Sequence, residues 1–239
     1  MRSDLRALLR VNTTGEEMKV YLEGIWVAGH GIPATVAVSL IAVVVGAVLG
    51  LLFALMRMSH IKVVRGISKV YVDIVRGTPM VVQAFIFAYG IPQILQANGV
   101  GFKWANLVIP AVIVCGLNSA AYMAEVMRSG IQAVDKGQME AARSLGMSKK
   151  TAMKLIIIPQ AVKIILPAFG NEFVTLIKET SVLSFVGVVE VMRRGNLWNA
   201  ATFETFPAYI GVAIIYLILT IPLSKLINRF EKKMSQEAA

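Results

Sequence analysis

Charged side chains are scarce in this chain. Of its 239 residues only 16% are Asp, Glu, Lys or Arg, while 56% are hydrophobic. Soluble domains carry roughly a quarter charged residues, so an ordinary soluble domain is excluded; the length suits about four to six membrane spans. There is a single cysteine, Cys115, set in an apolar run. It excludes an internal disulfide and is expected to be a small packing residue. The two histidines, His30 and His60, flank the first apolar stretch. With so few such residues no metal-ligand cluster is expected, and no nucleophile–base pair of a hydrolase is visible. The phosphate-cradling pattern GxxxxGK[ST] is absent as well, so the chain is expected to carry no nucleotide site of that kind. The first 31 residues lack a long apolar core and include Asp4, Glu16, Glu17 and Glu23. They do not read as a cleavable signal, and the first apolar stretch is expected to remain as a span.

What is abundant is apolar length and positive charge. The formal net charge is +10. In a soluble chain that would suggest nucleic acid; in one this apolar it marks cytoplasmic loops, and no nucleic-acid partner is expected. Apolar stretches predict an all-α, polytopic membrane protein with spans at about 32–56, 79–95, 107–127, 164–192 and 206–227. Together they make a transmembrane region over 32–227. A leader (1–31) precedes it, with "EEMKVYLEGIWV" a candidate interfacial helix, and a tail (228–239) follows. The first span holds Gly46 and Gly50, a spacing that permits close helix approach. Pro222 is a candidate kink in the fifth. The fourth span is the most polar, with Asn171, Glu172, Lys178 and Glu179 inside it. Lys and Arg cluster after span one, after span three and in the tail. An outside N-terminus and a cytoplasmic C-terminus put all three clusters in the cytoplasm only if the polar fourth span crosses.

Between spans three and four lies "DKGQMEAARSLGMSKKTAMKLIIIPQ". Residues 135–150 predict a short cytoplasmic helix. Asp135 is its cap, Gln138 completes a capping-box spacing, and Gly146 fits a left-handed C-terminal position. Ala141, Leu145, Met147 and Ala152 are its expected apolar side. Short helices are marginal alone, so this one is expected to dock on something.

Glu140, Ala141, Ala142, Gly146, Ile158 and Pro159 in this stretch resemble the cytoplasmic EAA signature of permease subunits of binding-protein-dependent ABC importers. "YVDIVRGTPMVVQ", "LNSAAYMAEVMRSGI" and "NEFVTLIKETSVLS" resemble the polar amino-acid branch of that family. The resemblance covers nearly the whole chain beyond the leader. It implies a five-span permease of a bacterial cytoplasmic (inner) membrane, paired with a second permease subunit, identical or paralogous. An ABC ATPase subunit would bind ATP and Mg, so this chain would need no cofactor. An extracytoplasmic amino-acid-binding protein would deliver the cargo. Glu140, Ala141, Ala142 and Gly146 would contact the ATPase, and Ile158-Pro159 would turn the chain back toward span four. Alternatives are an ion-gradient-driven secondary transporter and a non-transporting membrane scaffold.

Polar groups inside spans are costly and face a cavity or one another. Asn118, Ser119 and Tyr122 in span three and Glu179, Thr180 and Ser181 in span four are the candidate substrate residues. Asn118 and Tyr122 share a helix face. Glu179 stands where the resembled family often has Asp; the longer carboxylate favours a cationic or polar cargo such as arginine, lysine, histidine or glutamine. Two readings stay open for the charges: lining a pathway, or pairing for assembly, as Lys178 would with Glu125 or Glu172. Glu125 also stands one helical turn from Arg128. Arg76 reads as a headgroup anchor or a partner of Asp73.

Overall fold

A computed structural model describes residues 13–236 of the chain. The first 12 residues of the leader and the last 3 of the tail lie outside the described residues. The described residues form helices α1 (Thr13–Gly29), α2 (Ile32–Arg57), α3 (Lys62–Gly77), α4 (Met80–Ala97), α5 (Val108–Ala133), α6 (Lys136–Ser144), α7 (Lys149–Val186), α8 (Val191–Thr202) and α9 (Thr205–Gln236). Among the described residues, five helical stretches are long and apolar enough to cross a membrane: Gly15–Arg57, Met80–Ala97, Val108–Ala133, Lys149–Val186 and Thr205–Met234.

The centre is the crossing of α2 on α5. Gly46 and Gly50 of α2 face α5, where a Cβ on Gly46 would lie 2.6 Å from the Ser119 Oγ and one on Gly50 2.8 Å from the Met123 Cβ. Two backbones approach this closely only where side chains are missing. Around the crossing, Val38 and Ala42 of α2, Ala84 and Ala88 of α4, Val114 and Cys115 of α5, and Leu176 and Leu183 of α7 form the main buried cluster. Cys115 is fully buried there.

Helix α3 is amphipathic and docks on α2 and α5. Ser68 donates to the Phe53 carbonyl at 2.7 Å, Tyr71 donates to the Leu117 carbonyl at 2.6 Å, and the Phe53 and Tyr71 rings stack at 3.9 Å. Burial pushes the Tyr71 hydroxyl up to about 12. A second cluster joins α1 to α8 and α9 through Ala28, Val191, Val212 and Ile215. Part of the expected leader is thus a packed helix.

Two spanning helices change hydrogen-bonding register just before a proline. In α4 the π turn Ile86–Gly90 precedes Pro92, and in α7 the π turn Met153–Ile157 precedes Pro159. Proline lacks an N–H and its ring crowds the carbonyl four residues back, so a widened turn with bonds five residues apart relieves both. This corrects the expectation of a turn at Ile158-Pro159: the chain stays helical there, and Ile158 N–H bonds to the Met153 carbonyl across the π turn. The helix expected over 164–192 instead begins at Lys149. It tightens into a 3₁₀ stretch at Thr180–Val186 and ends at Gly187, before α8.

Candidate functional site

A polar band runs across the middle of the bundle, built by the C-terminus of α3, the start of α4, and one face each of α5 and α7. Docking of α3 brings the exposed Arg76 onto α5, where its guanidinium lies 5.2 Å from the centre of the Tyr122 ring. A cation over an aromatic face is attractive. The expected pairing with Asp73 is not formed among the described residues. One turn from Tyr122, the Asn118 amide donates to the Gln83 side-chain carbonyl at 3.2 Å. Gln83 is itself held by bonds to the Val75 carbonyl at 2.8 Å and the Thr78 hydroxyl at 2.9 Å. It is thereby fixed at the break between α3 and α4.

From α7 come two half-buried carboxylates, Glu172 and Glu179, seven residues apart and on one face. Glu172 lies in the field of both Glu179 and Arg76. The band therefore offers one guanidinium, two carboxylates, two amides and a phenol. Counting these groups alone its formal charge is negative, with the exposed Lys178 beside Glu179.

The candidate substrate residues divide. Asn118, Tyr122 and Glu179 belong to the band. Ser119 is wholly buried against Gly46 at the α2–α5 crossing, beside Glu172 of the band. Thr180 is wholly buried and donates to the Ile177 carbonyl of its own helix at 2.7 Å. Ser181 is half-buried at the start of the 3₁₀ stretch. Lys178 is exposed and makes no ion pair among the described residues, so the expected pairing with Glu125 or Glu172 is not formed. Glu125 instead pairs with Arg128 one turn along α5 and lies 3.9 Å from Arg57 of α2. Gln83, Arg76 and Glu172 were not among the candidates. The amphipathic pattern of α3 and the intramembrane carboxylate at 172 were the signals for the latter two.

At the far end of α7 stands α6. The Asp135 carboxylate accepts from the Gly137 N–H at 2.6 Å. The Gln138 side chain faces Gln160 of α7, so the capping box is half formed. At the other end Gly146 has φ +83°, its N–H bonds to the Arg143 carbonyl, and the Met147 N–H bonds to the Ala142 carbonyl. This pair of bonds is the Schellman closure, and the left-handed residue in it suits glycine. Met139 packs with Val134, Met153 and Ile157, on the π turn of α7, and Ala142 is buried on the same side. The expected apolar side is thus corrected: Ala141 is exposed and Leu145 is 84% exposed. Glu140, Ala141 and Gly146 remain accessible; Ala142 is small because α7 lies against it.

A bundle of five spanning helices, with a polar band between them and an exposed short helix at one end, defines the membrane-embedded component of a transporter. Over residues 46–236 the chain matches the family of binding-protein-dependent transport system inner membrane components, and it belongs to that family. The probable amino-acid permease protein YxeN of Bacillus subtilis is 37% identical over 207 residues, 87% of this chain and 91% of the relative. The probable glutamine ABC transporter permease protein GlnM of the same organism is 35% identical over 95% of this chain and 99% of its own length. The arginine transport system permease protein ArtQ, also from B. subtilis, is 36% identical over 86% and 91%. Among solved structures, a chain from an amino acid ABC transporter with histidines superposes with a TM-score of 0.79 at 37% identity, covering 92% of this chain and 97% of that one. A chain of the inward-facing MetNI methionine ABC transporter, at 18% identity and a TM-score of 0.61 over 93% and 99%, shares the fold.

Proposed function

We propose that this chain is the pathway-forming subunit of an ATP-driven importer for a polar or cationic amino acid, of the arginine, lysine, histidine or glutamine class. The observation that carries the reading is the charge balance of the band. Two carboxylates, Glu172 and Glu179, share one face of α7, and Glu172 lies in the field of a single guanidinium, Arg76, near the amides of Gln83 and Asn118. An amino acid presents an ammonium, a carboxylate and a polar side chain. Carboxylates, a guanidinium and amides are their complements, and the surplus negative charge favours cationic cargo. The relatives named for amino-acid, glutamine and arginine transport support the same class.

In this reading ATP and Mg are bound by a partner ATPase, which α6 contacts through Glu140, Ala141 and Gly146. A binding protein delivers cargo on the opposite side, a second permease subunit completes the pathway, and transport runs by alternating access. Placing the basic segments in the cytoplasm puts the N-terminus outside and the tail inside an inner membrane.

The test is uptake by the assembled complex with radiolabelled arginine and glutamine. Glu179→Gln removes one charge and keeps the shape. Arginine uptake is expected to fall at least tenfold, about 1.4 kcal/mol of lost interaction, with a smaller loss for glutamine. Unchanged rates for both would overturn the pathway role of this band.

A further inference from the structure

Between α2, α5 and the first half of α7 lies a cavity of about 630 Å³. This is within the range of roughly 300–1,000 Å³ of ligand pockets. Its walls are apolar: Leu51 and Leu55 from α2, and Val162, Leu166 and Phe169 from α7. Its lining residues set it apart from the polar band. Val162, Leu166 and Phe169 share one face of α7, and none of Arg76, Gln83, Asn118, Tyr122, Glu172 and Glu179 is among the residues lining the cavity. The leucines on its walls are exposed, so the groove opens sideways out of the bundle.

Two cationic or proton-donating groups stand at one end only. Lys149, the first residue of α7, and His60, in the link between α2 and α3, both line the cavity. Neither has a carboxylate partner within ion-pair distance among the described residues. Helix α2 has 26 residues. That is about 39 Å at 1.5 Å per residue, against a hydrocarbon core of roughly 30 Å. Its end, and the Lys149 and His60 beside it, therefore reach headgroup depth. An apolar trough of acyl-chain character, open to the bilayer and closed by an unpaired ammonium and an imidazole at headgroup level, has the polarity profile of one molecule class.

We propose that this groove binds an anionic phospholipid. Its acyl chains lie against Leu55, Val162, Leu166 and Phe169, and its phosphodiester accepts from the Lys149 ammonium and the His60 imidazole. The site is separate from the cargo pathway. It ties the start of α7, next to α6, to the composition of the surrounding leaflet.

The experiment uses the full chain, assembled with its partner subunits in detergent or in nanodiscs. Native mass spectrometry would count retained lipid after exchange into phosphatidylglycerol or phosphatidylcholine. Wild type is expected to retain phosphatidylglycerol preferentially. A juxtamembrane basic residue contributes about 1 kcal/mol toward anionic lipid. Lys149→Gln should therefore reduce the preference about fivefold, and Lys149→Gln with His60→Gln should abolish it. Leu55→Trp, which fills the trough, should lower retention of both lipids with the charges intact. Inorganic phosphate should not compete, because the acyl chains supply most of the binding. Equal retention of phosphatidylglycerol by wild type and the double variant would overturn the proposal. So would competition by free phosphate alone, or a disulfide between Leu55→Cys copies, which would make the groove a protomer interface. Both substituted polar residues are exposed, so misfolding does not confound the charge variants.

Discussion

At the scale of single residues the molecule depends on what is missing as much as on what is present. Gly50 lets α2 lie on Met123 and Ala120 of α5. Gly50→Val inserts side-chain atoms into that contact and should cost about 1–3 kcal/mol, as overpacking does. Thermal unfolding in detergent would show it as a lowered midpoint, with Gly66→Ala as control, since a Cβ on Gly66 of α3 meets nothing within 4 Å. Glu190 offers a pH test. It is buried, caps α8 by accepting from the Met192 and Arg193 N–H groups at 2.8 and 2.7 Å, and accepts from the Tyr216 hydroxyl at 2.8 Å. Burial pushes its carboxyl above the ordinary 4.5, outweighing the three donated bonds. The native state thus holds this proton more tightly than the unfolded chain. Stability contributed at this site falls as pH rises from about 4.5 through the raised native value. Glu190→Gln should flatten that part of the stability–pH curve, measured by thermal unfolding in steps across pH 4–8; an unaltered curve would count against the assignment.

The elements show which signals travel in sequence. The ends of α6 were legible because they are local: Asp135 and Gly146 act on backbone groups within three residues of themselves. The facing of α6 is not legible in sequence, because apolar character alone predicts the inside. Leu145 points outward, and small Ala142 meets α7. An exposed leucine beside Glu140 and Ala141 makes a contact for another protein the economical explanation. Leu145→Ser should leave membrane levels and α6 helicity unchanged while reducing ATPase copurification at least tenfold. Glu140→Arg should likewise spare folding and abolish cargo-stimulated ATP hydrolysis. In the polar band, Asn118, Tyr122 and Glu179 stood out as polar residues in apolar runs. Gln83 and Arg76 did not, because their partners lie 35 and 46 positions away in sequence. Only the docking of α3 on α2 and α5 brings Arg76 to Tyr122. The π turns were equally hidden, since Ile-Pro within a helix permits a kink, a stop or a widened turn, and the surrounding packing selects among them.

For the whole molecule, orientation is the property that organises the rest. His30 and His60 are both exposed and flank α2. In a Cys115→Ser background, a membrane-impermeant maleimide added to intact cells should label His30→Cys and leave His60→Cys unlabelled until the membrane is opened. The reverse pattern would place α6 outside and remove its ATPase role. Uptake should also follow ATP and survive collapse of proton and sodium gradients, which separates an ATP-driven importer from a secondary transporter.

Helix α7 has a mechanical consequence. Its π turn is the surface on which α6 rests, and Glu179 lies 22 residues beyond Ile157, about 33 Å along the axis. A π turn holds one surplus residue, so α7 is a screw with a spare thread. Passing that surplus residue along the helix would advance the segment it crosses by about 1.5 Å and turn it by about 100°. Rotation on that scale would carry a carboxylate from one wall of the bundle to the next.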